Sequence, residues 1–192
     1  MSERATHWNT AYGARREDRM SWFEADGGLS LELIARHGDT TGGVLVVGAG
    51  LSRLVDDLVA QDVQDLSILD ISQDAVMQVQ SRFPKRDLTG IVADISNWTP
   101  KRQYSVWQDR AVFHFLTINS AQDAYLQAAM QAIAPGGMML IATFAEDGPQ
   151  KCSGLPVARY SGAALIDRVR QTCGSAFEPI ETLRHDHHTP AG

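Results

Sequence analysis

Clustered positive charge, cysteine and long apolar runs are all scarce in this chain of 192 residues. With 17 Lys and Arg against 23 Asp and Glu, a formal net charge of -6 and no basic cluster, it lacks the residues that displace counterions from phosphates. Bulk nucleic-acid binding is therefore disfavoured. The cysteines Cys152 and Cys173 are too few for a disulfide framework and lack metal-ligand spacing, so both are expected as free thiols in a reducing compartment. No apolar stretch nears membrane-spanning length, and Met1-Ser2-Glu3-Arg4 leads into polar sequence without a signal core. A cytoplasmic protein with no membrane partner is the reading. The closing His185-Asp186-His187-His188 reads as a solvated tail, because a flexible tail chelates poorly without preorganised partners, and no metal is expected. Neither linker nor internal repeat divides the chain. Residues 1–192 read as one domain, 1–40 a helical cap and 41–192 a nucleoside-binding α/β core. The pattern leaves the oligomeric state open.

What the chain does contain is Val44-Leu45-Val46-Val47-Gly48-Ala49-Gly50. A β-branched run suits a strand buried on both faces, and glycines directly after it let the backbone turn tightly and approach a ligand with no Cβ between. Gly48 and Gly50 are thus candidate ligand contacts. About twenty residues later Leu66-Ser67-Ile68-Leu69-Asp70 places a carboxylate at the tip of the next parallel strand, where a ribose would present its two hydroxyls. A dinucleotide fingerprint would need a third glycine where Arg53 stands. Leu51, Leu54, Val55 and Leu58 read instead as the inward face of a helix, with Arg53 solvated.

From Gly43 onward strand and helix alternate, the signature of a Rossmann-like, doubly wound, mostly parallel α/β sheet. Strands are predicted over 43–48, 65–71, 88–93, 103–109 and 138–144, with a sixth over 176–183. Between them lie a helix ending near Gln61, one capped by Ser72 and running through Arg82, one opened by Ser120, and one from Ser161 to Cys173. Pro135-Gly136-Gly137 is read as the break that ends the third of these. Trp8, Tyr12, Trp22 and Phe23 precede a helix around 29–37 and suggest a lid over the sheet edge.

With Asp70 after the second strand, Asp94 after the third and Pro135-Gly136-Gly137 before the fifth, the chain resembles a class I S-adenosylmethionine-dependent methyltransferase. The resemblance implies S-adenosyl-L-methionine as cofactor. Gly48, Ala49 and Gly50 would cradle its amino-acid part, with Ser52 beside them. Asp70, with Ile71, would bind the ribose hydroxyls, and Asp94 with Ile95 the adenine; Trp22 would cover the cofactor, since an aromatic face attracts a sulfonium. A carboxylate is a double acceptor suited to a vicinal diol, which agrees with that assignment. His7-Trp8-Asn9 with Tyr12, Ser21-Trp22-Phe23 and Asp109-Arg110-Ala111-Val112-Phe113 are similar to segments of the small protein-lysine and thiopurine methyltransferases. Residues 143–160 resemble a loop of bacterial members.

Two departures accompany the resemblance. The family's usual acid two residues before the first glycine is Val46 here, and nothing after Leu183 reads as the family's last, antiparallel strand. An abbreviated sheet would leave an edge to be covered. Methyl transfer from a sulfonium is an in-line displacement that rests mainly on alignment and exclusion of water. A base within reach of the acceptor's proton completes it; Asp109, at the end of the fourth strand, and His114, among Phe113, Phe115 and Leu116, are the catalytic candidates. The acceptor would be a small molecule or a protein side chain such as lysine. The alternatives are a binding protein that keeps the cofactor but has lost turnover, and a nicotinamide-dependent oxidoreductase.

Overall fold

The structure is a computed structural model that describes residues 2–14, 27–110 and 112–186. Five strands, β1 (Val44–Val47), β2 (Leu66–Asp70), β3 (Leu88–Val92), β4 (Tyr104–Asp109) and β5 (Ile133–Ile141), form one sheet in the order β3-β2-β1-β4-β5. Every pairing in it is parallel. Around it lie α1 (Glu3–Ala14), α2 (Gly28–His37), α3 (Leu54–Ala60), α4 (Gln73–Arg82), α5 (Asn119–Ala132) and α6 (Gly162–Cys173). Among the described residues no helix is long and apolar enough to cross a membrane.

The strands are uncharged along most of their length because helices cover both faces of the sheet. Val44 and Val46 point to the side where Ile34 of α2, Leu54, Val55 and Leu58 of α3, and Val76 and Val79 of α4 form one core. Leu45 and Val47 point the other way, onto Trp107, Tyr125, Leu126 and Cys173 beneath α5 and α6. Each such side chain, once buried, contributes about 1.5–3 kcal/mol. The strand order reverses between β1 and β4, which opens a crevice at their C-terminal ends. Ser72 and Ser161 cap α4 and α6 as expected, accepting the Ala75 and Ala164 N–H groups at 3.2 Å each.

Three local expectations need correction. Strand β5 begins at Ile133, immediately after α5, and ends at Ile141 instead of Phe144. Pro135-Gly136-Gly137 lies inside it as a bulge: Tyr104 pairs with Ile133, whereas Val106 already pairs with Met138. Pro135 has no N–H for a ladder, and Gly136 takes a left-handed φ of 78°, so the extra residues loop out. Secondly, residues 176–183 form no strand. They are held by side chains: Glu181 accepts from Arg36 Nη1 at 2.9 Å and pairs with His37 Nε2 at 2.7 Å, while Arg184 pairs with Asp147 at 2.6 Å. Pro179 further removes a ladder donor. Thirdly, Arg53 is not fully solvated, its side chain being 35% exposed and set 3.4 Å from Asp56.

Both cysteines are free, Cys173 buried and Cys152 half-buried. Cys152 sits in a hairpin of β6 (Lys151–Cys152) and β7 (Leu155–Pro156). Its turn residues Ser153 and Gly154 have φ of 51° and 80°, as a two-residue hairpin turn requires.

Candidate active site

The strand tips and the chain crossing them enclose a crevice of about 1350 Å³. That exceeds the roughly 300–1,000 Å³ typical of one small-molecule site, so a nucleotide-sized ligand and a second reactant can share it. Gly48, Ala49, Gly50, Ser52, Asp70, Ile71, Asp94, Ile95 and His114 all line it. Asp109 does not line it, and Trp22 lies outside the described residues.

The glycine turn after β1 is fixed by its own backbone. Gly48 and Ala49 N–H both reach the Leu69 carbonyl, at 2.7 and 3.2 Å, and Gly50 N–H donates to Asp70 Oδ2 at 2.8 Å. These donors are therefore committed within the chain, and the missing side chains let Val112 and Tyr12 pack close against the turn. Gly48 and Gly50 have φ of 64° and 50°. A Cβ at Gly48 would collide with Val112 Cγ2, and one at Gly50 would stand 2.6 Å from the Tyr12 hydroxyl. Tyr12 comes from α1, whose Asn9 accepts the Ser72 hydroxyl at 2.6 Å. Burial, with the Asp70 carboxylate beside it, holds the Tyr12 phenol well above the ordinary tyrosine range, so it stays a proton donor.

Asp70 itself is 4% exposed. Its Oδ1 accepts the Ser72 N–H at 2.8 Å, and burial raises its pKa from 3.8 to about 6 against the lowering effect of these backbone donors. The Gly50, Ile71 and Ser72 N–H groups all draw on this carboxylate, so of its roughly four lone-pair sites about one is left for a ligand hydroxyl. On the neighbouring strand tip, Asp94 Oδ1 takes the Ser96 N–H at 3.0 Å and the Ser96 hydroxyl at 2.7 Å, which leaves Oδ2 for a ligand donor.

The β4 tip separates the two catalytic candidates. Asp109 is fully buried, with Oδ1 accepting Val112 N–H at 2.7 Å and Oδ2 accepting Phe113 N–H at 2.9 Å and the Tyr125 hydroxyl at 2.7 Å. Trp107 Nε1–H in turn donates to that hydroxyl at 2.8 Å. Asp109 therefore orders the turn after β4 and does not line the crevice. Tyr125→Phe is expected to cost about 2 kcal/mol in urea unfolding, because it strips a donor from a buried carboxylate and an acceptor from a buried indole.

His114 follows on the turn formed by Phe113–Phe115. It is 4% exposed, neither ring nitrogen has a hydrogen-bond partner, and burial lowers its pKa from 6.5 to about 4. The rings of Phe115 and Phe144 lie 4.3 and 5.0 Å from it, centroid to centroid. The Ala158 N–H, at 2.7 Å from the His114 carbonyl, ties the chain after the hairpin onto this turn. Because the folded pKa lies below the unfolded one, His114 destabilises the protein as pH falls from 6.5 toward about 4. His114→Phe is expected to relieve this, gaining about 2 kcal/mol relative to the parent at about pH 5 over any difference at neutral pH, as read by urea unfolding at both pH values.

Tyr12, Val112 and Phe144 were not singled out as site residues from sequence. The signal for Tyr12 was present: it follows Trp8 by four residues on one helix face, and the two rings stack at 5.8 Å. Val112 and Phe144 gave none, since only the return of the chain across β1 and β4 brings them to the site. Among the described residues no three His, Cys, Asp or Glu side chains gather as a metal site.

This sheet order and crevice define a class of fold, the Rossmann-like α/β fold of class I methyltransferases, and solved structures agree. The CcbJ methyltransferase of Streptomyces caelestis aligns with a TM-score of 0.60 and 15% identity over 73% of this chain and 58% of its own. The glycopeptide N-methyltransferase MtfA complexed with S-adenosyl-L-homocysteine aligns with a TM-score of 0.55 and 19% identity, covering 65% of this chain and 55% of that one. A structure concerned with conversion of a disulfide bond into a thioacetal group during echinomycin biosynthesis aligns at 0.65 and 17% identity, over 88% and 78%. No family model matches the chain. In sequence, malonyl-[acyl-carrier protein] O-methyltransferase 2 of Ilyobacter polytropus is 23% identical over 141 residues, 72% of this chain and 53% of the relative. The chain thus spans about half the length of the curated relative it matches.

Proposed function

We propose that this protein is an S-adenosylmethionine-dependent methyltransferase acting on a small-molecule or protein side-chain acceptor. The observation that carries the reading is the convergence of the Gly48–Gly50 turn, Asp70 and Asp94 on one crevice. The cofactor fits these residues on a specific ground: beside the glycine turn, at the rim of the crevice, stands a buried carboxylate with acceptor capacity to spare. Gly48, Ala49, Gly50 and Ser52 would hold the amino-acid end, Asp70 and Ile71 the ribose, and Asp94 and Ile95 the adenine. Trp22 is proposed to cover the cofactor. Bound there, S-adenosylmethionine supplies an electrophilic methyl group on a sulfonium.

The chain's part is alignment, exclusion of water and proton removal. Trp8, Tyr12 and Phe115 form a continuous aromatic wall, with Trp8 5.8 Å from Tyr12 and 5.2 Å from Phe115 between centroids, and so shut water from the strand tips. His114 is neutral near pH 7 and accepts the acceptor's proton. Val46 lies in the core at 2% exposure and adds no charge beside the glycine turn, so the cofactor's ammonium group would be met by other groups of the crevice. Within the class, the likeness of His7-Trp8-Asn9, Tyr12 and Asp109-Arg110 to segments of the small protein-lysine and thiopurine methyltransferases supports a reading of the chain as their relative. That kinship concerns architecture more than acceptor.

Calorimetric titration tests the reading. Saturable heat is expected with S-adenosylmethionine and S-adenosylhomocysteine and none with NAD; the reverse pattern would sink it in favour of an oxidoreductase. Cell lysate incubated with labelled donor should then yield a labelled product, and donor binding without any labelled acceptor would leave a binding protein only.

A further inference from the structure

We infer that the methyl acceptor is an uncharged hydroxyl group carried on an apolar body, held by the unpartnered imidazole of His114 between Phe115 and Phe144. This assignment rests on the methyltransferase reading above and narrows it to one acceptor chemistry.

Both ring nitrogens of His114 are buried without a hydrogen-bond partner. A buried polar group left unsatisfied is costly and calls for a physical reason, and His114 lines the crevice that the strand tips share. Its immediate surroundings are aromatic: Phe115 and Phe144 touch the imidazole, and Trp8 stands edge-on to Phe115. Burial alone depresses its pKa to about 4, with no charged neighbour contributing. Among the described residues no hydrogen bond or charge contribution from a carboxylate reaches the ring.

These facts separate the acceptor classes. An alkylammonium has no lone pair until its proton has left, and its ordinary pKa near 10.4 sets transfer to a base of pKa about 4 against it by roughly a million-fold. It would also enter a recess where, among the described residues, Phe115 and Phe144 flank the imidazole and no carboxylate bonds to it. A carboxylate acceptor has no proton to give, so it leaves both ring nitrogens unexplained. A hydroxyl keeps its lone pair and donates its hydrogen to the imidazole from the start. As the oxygen bonds to the methyl carbon, the carbon–sulfur bond breaks with its electron pair on sulfur, and the hydroxyl proton passes to the ring nitrogen. The proton need move only once the oxygen is becoming an oxonium, a far stronger acid than histidine of any environment, so a weak base suffices. The imidazolium then loses its proton to water when the products leave.

The test uses the whole protein, labelled with 15N at histidine and saturated with S-adenosylhomocysteine, titrated separately with p-cresol and n-butylammonium chloride. The His114 ring resonances, assigned by their loss in His114→Phe, are expected to move saturably with p-cresol and to stay fixed with butylammonium. His114→Phe and His114→Gln control each other's folding; the Phe variant should bind p-cresol about tenfold more weakly, with the Gln variant between it and the parent. Movement with butylammonium instead, or unmoved His114 resonances with both probes while S-adenosylhomocysteine binds, overturns the acceptor assignment alone. Absence of S-adenosylhomocysteine binding by calorimetry overturns the methyltransferase reading beneath it as well.

Discussion

Gly48→Ala is expected to lower stability by about 3 kcal/mol and to abolish S-adenosylhomocysteine binding. Two costs add. At a φ of 64° an L side chain is strained by roughly 1–2 kcal/mol. The new methyl group also collides with Val112 Cγ2, and overpacking of this kind costs about 1–3 kcal/mol. Val112 cannot simply withdraw, since its N–H is held by Asp109 Oδ1 at 2.7 Å within the buried Trp107, Tyr125 and Asp109 network. The two contributions are separable: Val112→Ala in the Gly48→Ala background should restore roughly half the lost stability, the steric half, and leave the backbone strain. Urea unfolding reads the first effect and calorimetry the second. A Gly48→Ala protein as stable and as competent in binding as the parent would show that this turn is not a ligand cradle.

The parts of the fold that sequence exposed are those whose signals are local. Val44 to Val47 could be read as a doubly covered strand because helices on both faces leave no polar side in the pattern. Asp70 could be read as a site residue because a parallel strand's C-terminal tip always faces the crevice. Pro135-Gly136-Gly137 misled because the same residues that stop a helix also make a bulge, and only pairing with β4 distinguishes the two. Residues 176–183 misled for a related reason. Extended, partly alternating sequence reports side-chain character, whereas a strand needs a partner's N–H and C=O groups, and here Arg36 and His37 hold the segment through the Glu181 side chain, with Arg184 just beyond it paired to Asp147. Asp109 sat at the right strand tip, but its oxygens are engaged by Val112, Phe113 and Tyr125, the last from α5. For His114 the apolar neighbours correctly announced burial; that both nitrogens lack partners is a fact of three dimensions.

Asp70→Ala is expected to weaken S-adenosylhomocysteine binding roughly 10- to 100-fold, because a ribose hydroxyl would lose a hydrogen bond to a charged acceptor, worth about 1.5–3 kcal/mol. The pH dependence is sharper evidence than the magnitude. Asp70 has a folded pKa of about 6, above its ordinary 3.8, so the folded state holds the proton between those values and stability falls as pH rises through them. A diol donates best to the charged form. Affinity should therefore strengthen about tenfold from pH 5 to pH 7 in the parent and stay flat in Asp70→Asn. His114 acts in the opposite sense, since its folded pKa of about 4 lies below its ordinary 6.5 and stability rises with pH across that interval. The two slopes oppose each other between about pH 4 and pH 6, so the parent's stability should vary little there. Each single variant uncovers the other's slope: His114→Phe should lose stability as pH rises through this window, and Asp70→Asn should gain it. Parallel slopes in the two variants would mean that the buried carboxyl and imidazole do not carry these opposed shifts.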